Sequence, residues 1–238
     1  MTHPISPELL ARIEAHERWV VTHKEEGQML ADGMGMDLSD VDLSGRILSS
    51  VTLPFAKFDR SVLRSARLNS SNYCGASFCE AVLDNAQIVK TDASRADFSK
   101  ASLRNVRGVR LEVVKTNFQR ANLSDSNFYD ADFTQANLEY ANFGQADLRE
   151  VAFYKANMAY AILTGASFWG AELAGATGLE LAEIEWIDIG NTEWVNGGER
   201  NDPHRLDGEE ARRWLFAEAA KPLPKFMTRR ADDTLNPT

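Results

Sequence analysis

The sequence predicts an all-β solenoid, a chain that coils and turns after every five residues. Three observations carry that expectation. The stretch Ala121–Glu150 reads ANLSD SNFYD ADFTQ ANLEY ANFGQ ADLRE, six five-residue units in one register: a small residue, Asn or Asp, a Leu or Phe, and two variable positions. Neither a helix, with its period of about 3.6, nor a strand, with its period of 2, repeats in this way. The same register holds over 28 units, from Met36 to Gly175, and the central position is Leu, Phe, Ile, Val, Met or Tyr in 26 of them. Finally, of 31 charged residues in that span all but Arg46 avoid both the centre and the position two before it, which is Ala, Ser or Thr in 21 units. Two positions of each unit point inward and three point out.

The elements follow in order along three segments: an N-terminal helical cap over 1–35, the repeat array over 36–178, and a capping segment with a short helix and a disordered tail over 179–238. Ser6 and Pro7 form a helix start, cap then first helical residue. Leu9, Leu10, Ile13 and Val20 recur at helical spacing as far as about His23, and Gly27, Gly33 and Gly35 end the pattern. The amphipathic helix is expected to lie over the open end of the array. Within the array only Ala93 and Gly108 lack a large centre, and they fall in neighbouring coils. A bulge, an underfilled core or a mobile coil is therefore expected around 91–115. After Gly178 the register is lost. Leu179–Ile189 is apolar enough to pack on the last coil, and Asn196-Gly197-Gly198 through Pro203 reads as a loop. Asp207 with Glu210 resembles a capping box, opening a helix whose apolar face is Ala211, Trp214 and Leu215. Trp186, Trp194, Trp214 and Phe216 are expected to close the solenoid rather than join two subunits.

The unit Ala121-Asn122-Leu123-Ser124-Asp125 resembles the A(D/N)LXX consensus of the pentapeptide repeat family, and the resemblance covers about three-fifths of the chain. It implies a right-handed quadrilateral β-helix with four units per coil. Twenty-eight units then make about seven coils, a rod roughly 34 Å long at the β spacing. Centres twenty residues apart stack, so Leu38, Phe58, Phe78, Phe98, Phe118, Leu138 and Met158 form one column. Burial of each large centre contributes roughly 1.5–3 kcal/mol. Both open ends would present unpaired backbone, hence the reading of the flanks as caps.

Composition bounds function in the same bland direction. The 238 residues carry a net charge of −9, which repels nucleic acid on average. The N-terminus, Met1-Thr-His-Pro-Ile-Ser-Pro, lacks a basic stretch followed by an apolar core, and no apolar run approaches the ~20 residues of a membrane span. Two cysteines, Cys74 and Cys79, are too few for a disulfide framework. A soluble cytoplasmic protein without membrane or direct nucleic-acid binding is expected. Nucleophile elbows, phosphate-binding glycine loops, zinc spacings and dinucleotide fingerprints are all missing from the sequence. His16 and His23, seven apart, have no further ligand cluster. Most Asp and Asn residues occupy the repeat's polar position, where a short side chain hydrogen-bonds at a turn. No enzyme activity, cofactor or metal is expected.

Function must therefore sit on the outward columns. Asp40, Arg60, Glu80 and Lys100 alternate in sign, as do Arg64, Asp84 and Arg104, whereas Lys90, Arg95, Arg107, Arg110 and Lys115 form a basic cluster suited to an anion or an acidic partner. The expected function is a non-catalytic protein-interaction module, a rod binding an unidentified protein, as monomer or homodimer. The family resemblance implies an alternative, a DNA mimic that binds DNA gyrase or topoisomerase and protects it from quinolones. A mimic should be acidic along its length. Here residues 46–120 carry +7 and 121–175 carry −5, so this rod is basic in its middle.

Overall fold

A computed structural model describes residues 3–30, 34–189 and 205–222. The array is a β-helical solenoid. Isolated parallel bridges join each polar position to the one twenty residues on, from Asp37↔Lys57 to Asn157↔Thr177, so four units make one coil. Each unit ends in a turn whose third residue is left-handed. All 28 of these positions, Asp40 to Gly175, have positive φ, and only Gly45, Gly75, Gly165, Gly170 and Gly175 are glycines. A left-handed non-glycine residue costs on the order of 1 kcal/mol. The ladder offsets it, because each corner N–H from Asp40 to Lys155 donates to a carbonyl in the next coil, as from Lys90 to Val109 and from Arg110 to Tyr129 (both 3.0 Å). The polar position does what its chemistry suggests. Asp and Asn carboxyl or amide oxygens accept from the N–H two residues on, as Asp92 does from Ser94 (2.8 Å) and Asn142 from Gly144 (2.8 Å).

The interior consists of the predicted centres and small residues. Phe58, Phe78, Phe98 and Phe118 stack nearly parallel, with centroids 4.6, 4.6 and 5.0 Å apart. Around 91–115 the expected bulge is absent: Gln87↔Arg107, Asp92↔Glu112 and Asp97↔Asn117 keep the register, and Ala93, Val106, Leu111 and Val113 are buried. The reason is visible at Gly108. A Cβ there would lie 2.6 Å from the Phe128 ring, so the aromatic of the following coil occupies the space a large centre would have filled.

Helix α1, Pro7–Val21, starts at Ser6, whose hydroxyl accepts from the Leu9 N–H (3.2 Å), with Pro7 in the first turn. It buries Ile13 and His16 against the first coil. Gly27 brings the chain back over the helix. A side chain there would meet the Ala15 carbonyl at 2.1 Å, and Gln28 N–H donates to that same oxygen (3.1 Å). Two helix side chains bond the first coil directly: Glu17 accepts from the Ile47 N–H (3.0 Å) and pairs with Arg46 (3.1 Å), while His16 Nε2 meets the Ser49 carbonyl (2.9 Å).

Past Gly178 the ladder does not stop; it shifts by one. A 3-10 turn, Leu179–Leu181, adds a residue, after which Ile162 bridges Glu183 and Ser167 bridges Asp188. Ile184 and Ile189 are thus centres of displaced units, five and ten residues after Leu179, which is buried within the turn. Gly178 makes the shift, with φ +77 and a backbone so close to Ala159 that a Cβ would come within 2.5 Å of its nitrogen. Strand β1, Trp186–Asp188, pairs antiparallel with β2, Arg205–Asp207, which covers the ladder's last edge there. Helix α2, Gly208–Ala219, buries Ala211 and Leu215 and sets Trp214 edge-on to Phe168 at 6.4 Å. Its Ala219 carbonyl accepts from the Gly175 N–H (2.7 Å), where a further coil would have supplied the acceptor. The expected loop over 196–203, Trp194, the side chains of Trp186 and Asp207 in the capping box, and the tail beyond Pro222 lie outside the described residues.

Candidate interaction surface

The outward columns sort by sign as the sequence suggests, and ion pairs consume much of the charge. Arg60 forks onto Asp40 (2.8 and 2.5 Å), Lys100 meets Glu80 (2.9 Å), and Arg64 approaches Asp84 (3.9 Å). The bonded Arg60 holds the Asp40 carboxyl below the usual carboxylate range, and Lys100 does the same for Glu80. These pairs are exposed, so each is worth little to stability.

All five residues of the expected basic cluster are exposed, four of them on left-handed corners: Lys90, Arg95, Arg110 and Lys115. The solenoid does not gather them at a single corner. Lys90 and Arg110 share one twenty-residue column, Arg95 and Lys115 the next, and Arg107 lies on the preceding side, bridged to Gln87 and Asn127. Arg110 is already engaged, donating from Nε to Asp130 (2.9 Å). Among the described residues Lys90, Arg95, Arg107 and Lys115 have no acidic partner within ion-pair distance. Between the two corner columns run Asp92 and Glu112, bridged to each other. The arrangement is two rails of cations flanking a line of acids rather than a uniform anion cradle, a geometry suited to a protein face with mixed charge.

Other outward features escaped the reading of columns one by one. Tyr140 and Tyr160 stack with centroids 4.7 Å apart, and Arg120 sits 5.5 Å from the Tyr140 centroid. Their twenty-residue spacing was the available signal. A cleft of about 510 Å³ between α2 and the last coils is lined by Tyr154, Trp169, Glu172, Trp214, Glu218 and Lys221. No sequence rule pairs α2 with that side. Within the cleft the Tyr154 hydroxyl donates to Glu172, and burial, then that carboxylate, raises its pKa above the tyrosine range. Cys74 and Cys79 are free, half-buried thiols, and burial pushes Cys74 up from its ordinary pKa. The described residues hold no group of three or more potential metal ligands. None of their helices is long and apolar enough to cross a membrane.

A family model for pentapeptide repeats matches eight copies, over residues 61–99 and 116–153. Those two stretches are pentapeptide repeats. The unmatched interval between the two blocks contains Gly108, together with Val106 and Leu111 where the pentapeptide repeat has a small residue. Two trypsin-treated structures of QnrB1, described as a plasmid-mediated fluoroquinolone resistance protein, share the pentapeptide-repeat fold. One is 22% identical with a TM-score of 0.59, covering 63% of this chain and 78% of that one. The other is 18% identical with a TM-score of 0.60, covering 65% and 79%. HetL, a pentapeptide-repeat protein of the cyanobacterium Nostoc sp. strain PCC 7120 involved in heterocyst differentiation regulation, is 23% identical with a TM-score of 0.34, covering 71% of this chain and 93% of that one. No curated protein matches the chain.

Proposed function

We propose that the chain is a non-catalytic protein-interaction module: a right-handed rod of about seven four-sided coils, capped by its residues 1–35 and 179–238, that binds a protein partner through its outward columns. The observation that carries this reading is the set of exposed cations without acidic partners: Lys90, Arg95 and Lys115 on backbone corners fixed by the coil-to-coil ladder, and Arg107 on the bridged side that precedes them. A rigid scaffold presents such side chains without ordering a loop, which keeps the entropic cost of association low. Arg110 contributes less than its neighbours because Asp130 already holds it.

Immobilised full-length protein tests the reading by affinity capture from a lysate of the source cells at physiological salt. Changing Arg95→Glu and Lys115→Glu together is expected to lower recovery of the captured partner about tenfold. Exposed sites of this kind shift stability by no more than about 0.5 kcal/mol, so the unfolding midpoint should stay in place. An identical capture profile for the two proteins would sink the proposal.

A second reading rests on the acidic stretch 121–175, net −5, together with a fold shared with a fluoroquinolone resistance protein. In it the C-terminal coils imitate duplex phosphates and bind DNA gyrase or a related topoisomerase. Purified protein is added to gyrase supercoiling assays poisoned with a quinolone. Restored supercoiling would favour the mimic, whereas no protection at high molar excess removes it. The basic middle of the rod favours the first reading, and no protection is the expected result.

A further inference from the structure

In the solenoid a corner N–H donates to the carbonyl nineteen residues on, as Gly35 does to Pro54 (3.1 Å) and Ser50 to Asn69 (2.9 Å). Leu30 and Ser49 have this same separation, but the imidazole of His16 stands between them. Leu30 N–H donates to Nδ1 (3.1 Å), and Nε2 lies 2.9 Å from the Ser49 carbonyl. The first bond requires a bare Nδ1 and the second a protonated Nε2, which fixes the neutral ring in one tautomer. His16 is fully buried and takes the place of a missing rung.

We propose that this side-chain rung makes the N-terminal segment a pH-sensitive clasp on the end of the rod. An imidazolium carries a proton on Nδ1 and cannot accept from Leu30, so protonation opposes an N–H to an N–H inside a buried site. The surroundings do little to relieve it. Trp19 stacks on the ring at 5.8 Å. Glu17, the nearest acid on α1, is turned to the Ile47 N–H and to Arg46, the cation facing the joint from the first coil. Lys24 lies over the Trp19 ring, and Arg12 is the basic residue one turn earlier on α1. Consistent with this geometry, burial lowers the His16 pKa below its ordinary value of 6.5, outweighing the Ser49 bond and the Glu17 charge.

The sign follows. The docked clasp prefers neutral His16, so its stability is complete above pH 6.5 and declines as the pH falls through and below that value, since the released state takes up the proton. With a free histidine near 6.5, the opening equilibrium rises by up to about tenfold between pH 7.5 and 5.5. Release uncovers the Ile47 N–H and the Ser49 carbonyl on the first coil's edge, while the rod, tied by its own ladder, stays folded.

Amide hydrogen exchange on the full chain tests this, with rates corrected for the intrinsic effect of pH. Protection of Leu30 N–H is expected to fall up to tenfold from pH 7.5 to 5.5, while Phe98 N–H in the middle of the rod keeps its protection. His16→Gln retains an acceptor and a donor but does not titrate, and should make Leu30 protection independent of pH over this range. Three results would overturn the clasp: constant Leu30 protection in the unaltered protein, a parallel fall at Phe98, or an undiminished fall in the glutamine variant.

Discussion

Phe98→Ala is expected to lower stability by about 3–5 kcal/mol, the cost of truncating a buried aromatic side chain. Phe98 is 2% exposed and stacks on Phe78 at 4.6 Å and on Phe118 at 5.0 Å, with interplanar angles of 1° and 7°. Truncation removes both ring contacts and opens a cavity that the coils cannot close, because each neighbour is fixed by a ladder of backbone bonds such as Phe98 N–H to Asn117 (2.7 Å) and Asn117 N–H to Ala96 (3.0 Å). Coils in a solenoid contact only adjacent coils, so the damage falls on the centre of the array. Phe98→Leu, which keeps the family's usual centre, should cost far less, since most of the apolar volume remains. Urea unfolding followed by tryptophan fluorescence reports the midpoint. A loss below about 1 kcal/mol for the alanine variant would mean that the stacked column contributes little beyond what an isolated small centre supplies.

The same column shows why so much of the fold was legible. A period of five with a large residue at one place and a small one two before it permits few backbones, and Leu38 through Met158 stack as the twenty-residue spacing demands. What escaped was set by contacts that no period encodes. The one-residue shift at Leu179–Leu181 hid Leu179, Ile184 and Ile189, which still recur at five but in a displaced register. His16 read as one member of a loose histidine pair, and only the return of the chain through Gly27 to Leu30 reveals it as a rung. Lys90, Arg95, Arg110 and Lys115 stand on the columns that twenty-residue spacing gives them, yet Asp92 and Glu112 between those columns and the Arg110–Asp130 pair depend on side-to-side placement. Exposed charge is a poor guide to a site until its neighbours across the corner are known.

Gly108→Leu brings the chain closer to its own repeat pattern and is nevertheless expected to destabilise it, by about 1–3 kcal/mol, the usual cost of overpacking. The ring of Phe128 fills the place above Gly108, with two of its carbons at 2.6 and 2.8 Å from a Cβ built there. That ring is itself wedged between Phe133 (5.4 Å) and Phe143 (6.4 Å), so it has no free direction in which to retreat. Phe128→Leu alone shortens the side chain over the glycine and leaves a void, also a loss. Combining the two restores a leucine over a leucine, the arrangement found at Leu48 and Leu68 earlier in the same column. The double variant should therefore be less destabilised than the sum of the single variants by about 1–3 kcal/mol, the coupling of residues that share one space. Strict additivity in urea midpoints would refute the idea that Phe128 compensates for Gly108, and the weak centre would then have to be accommodated by the backbone instead.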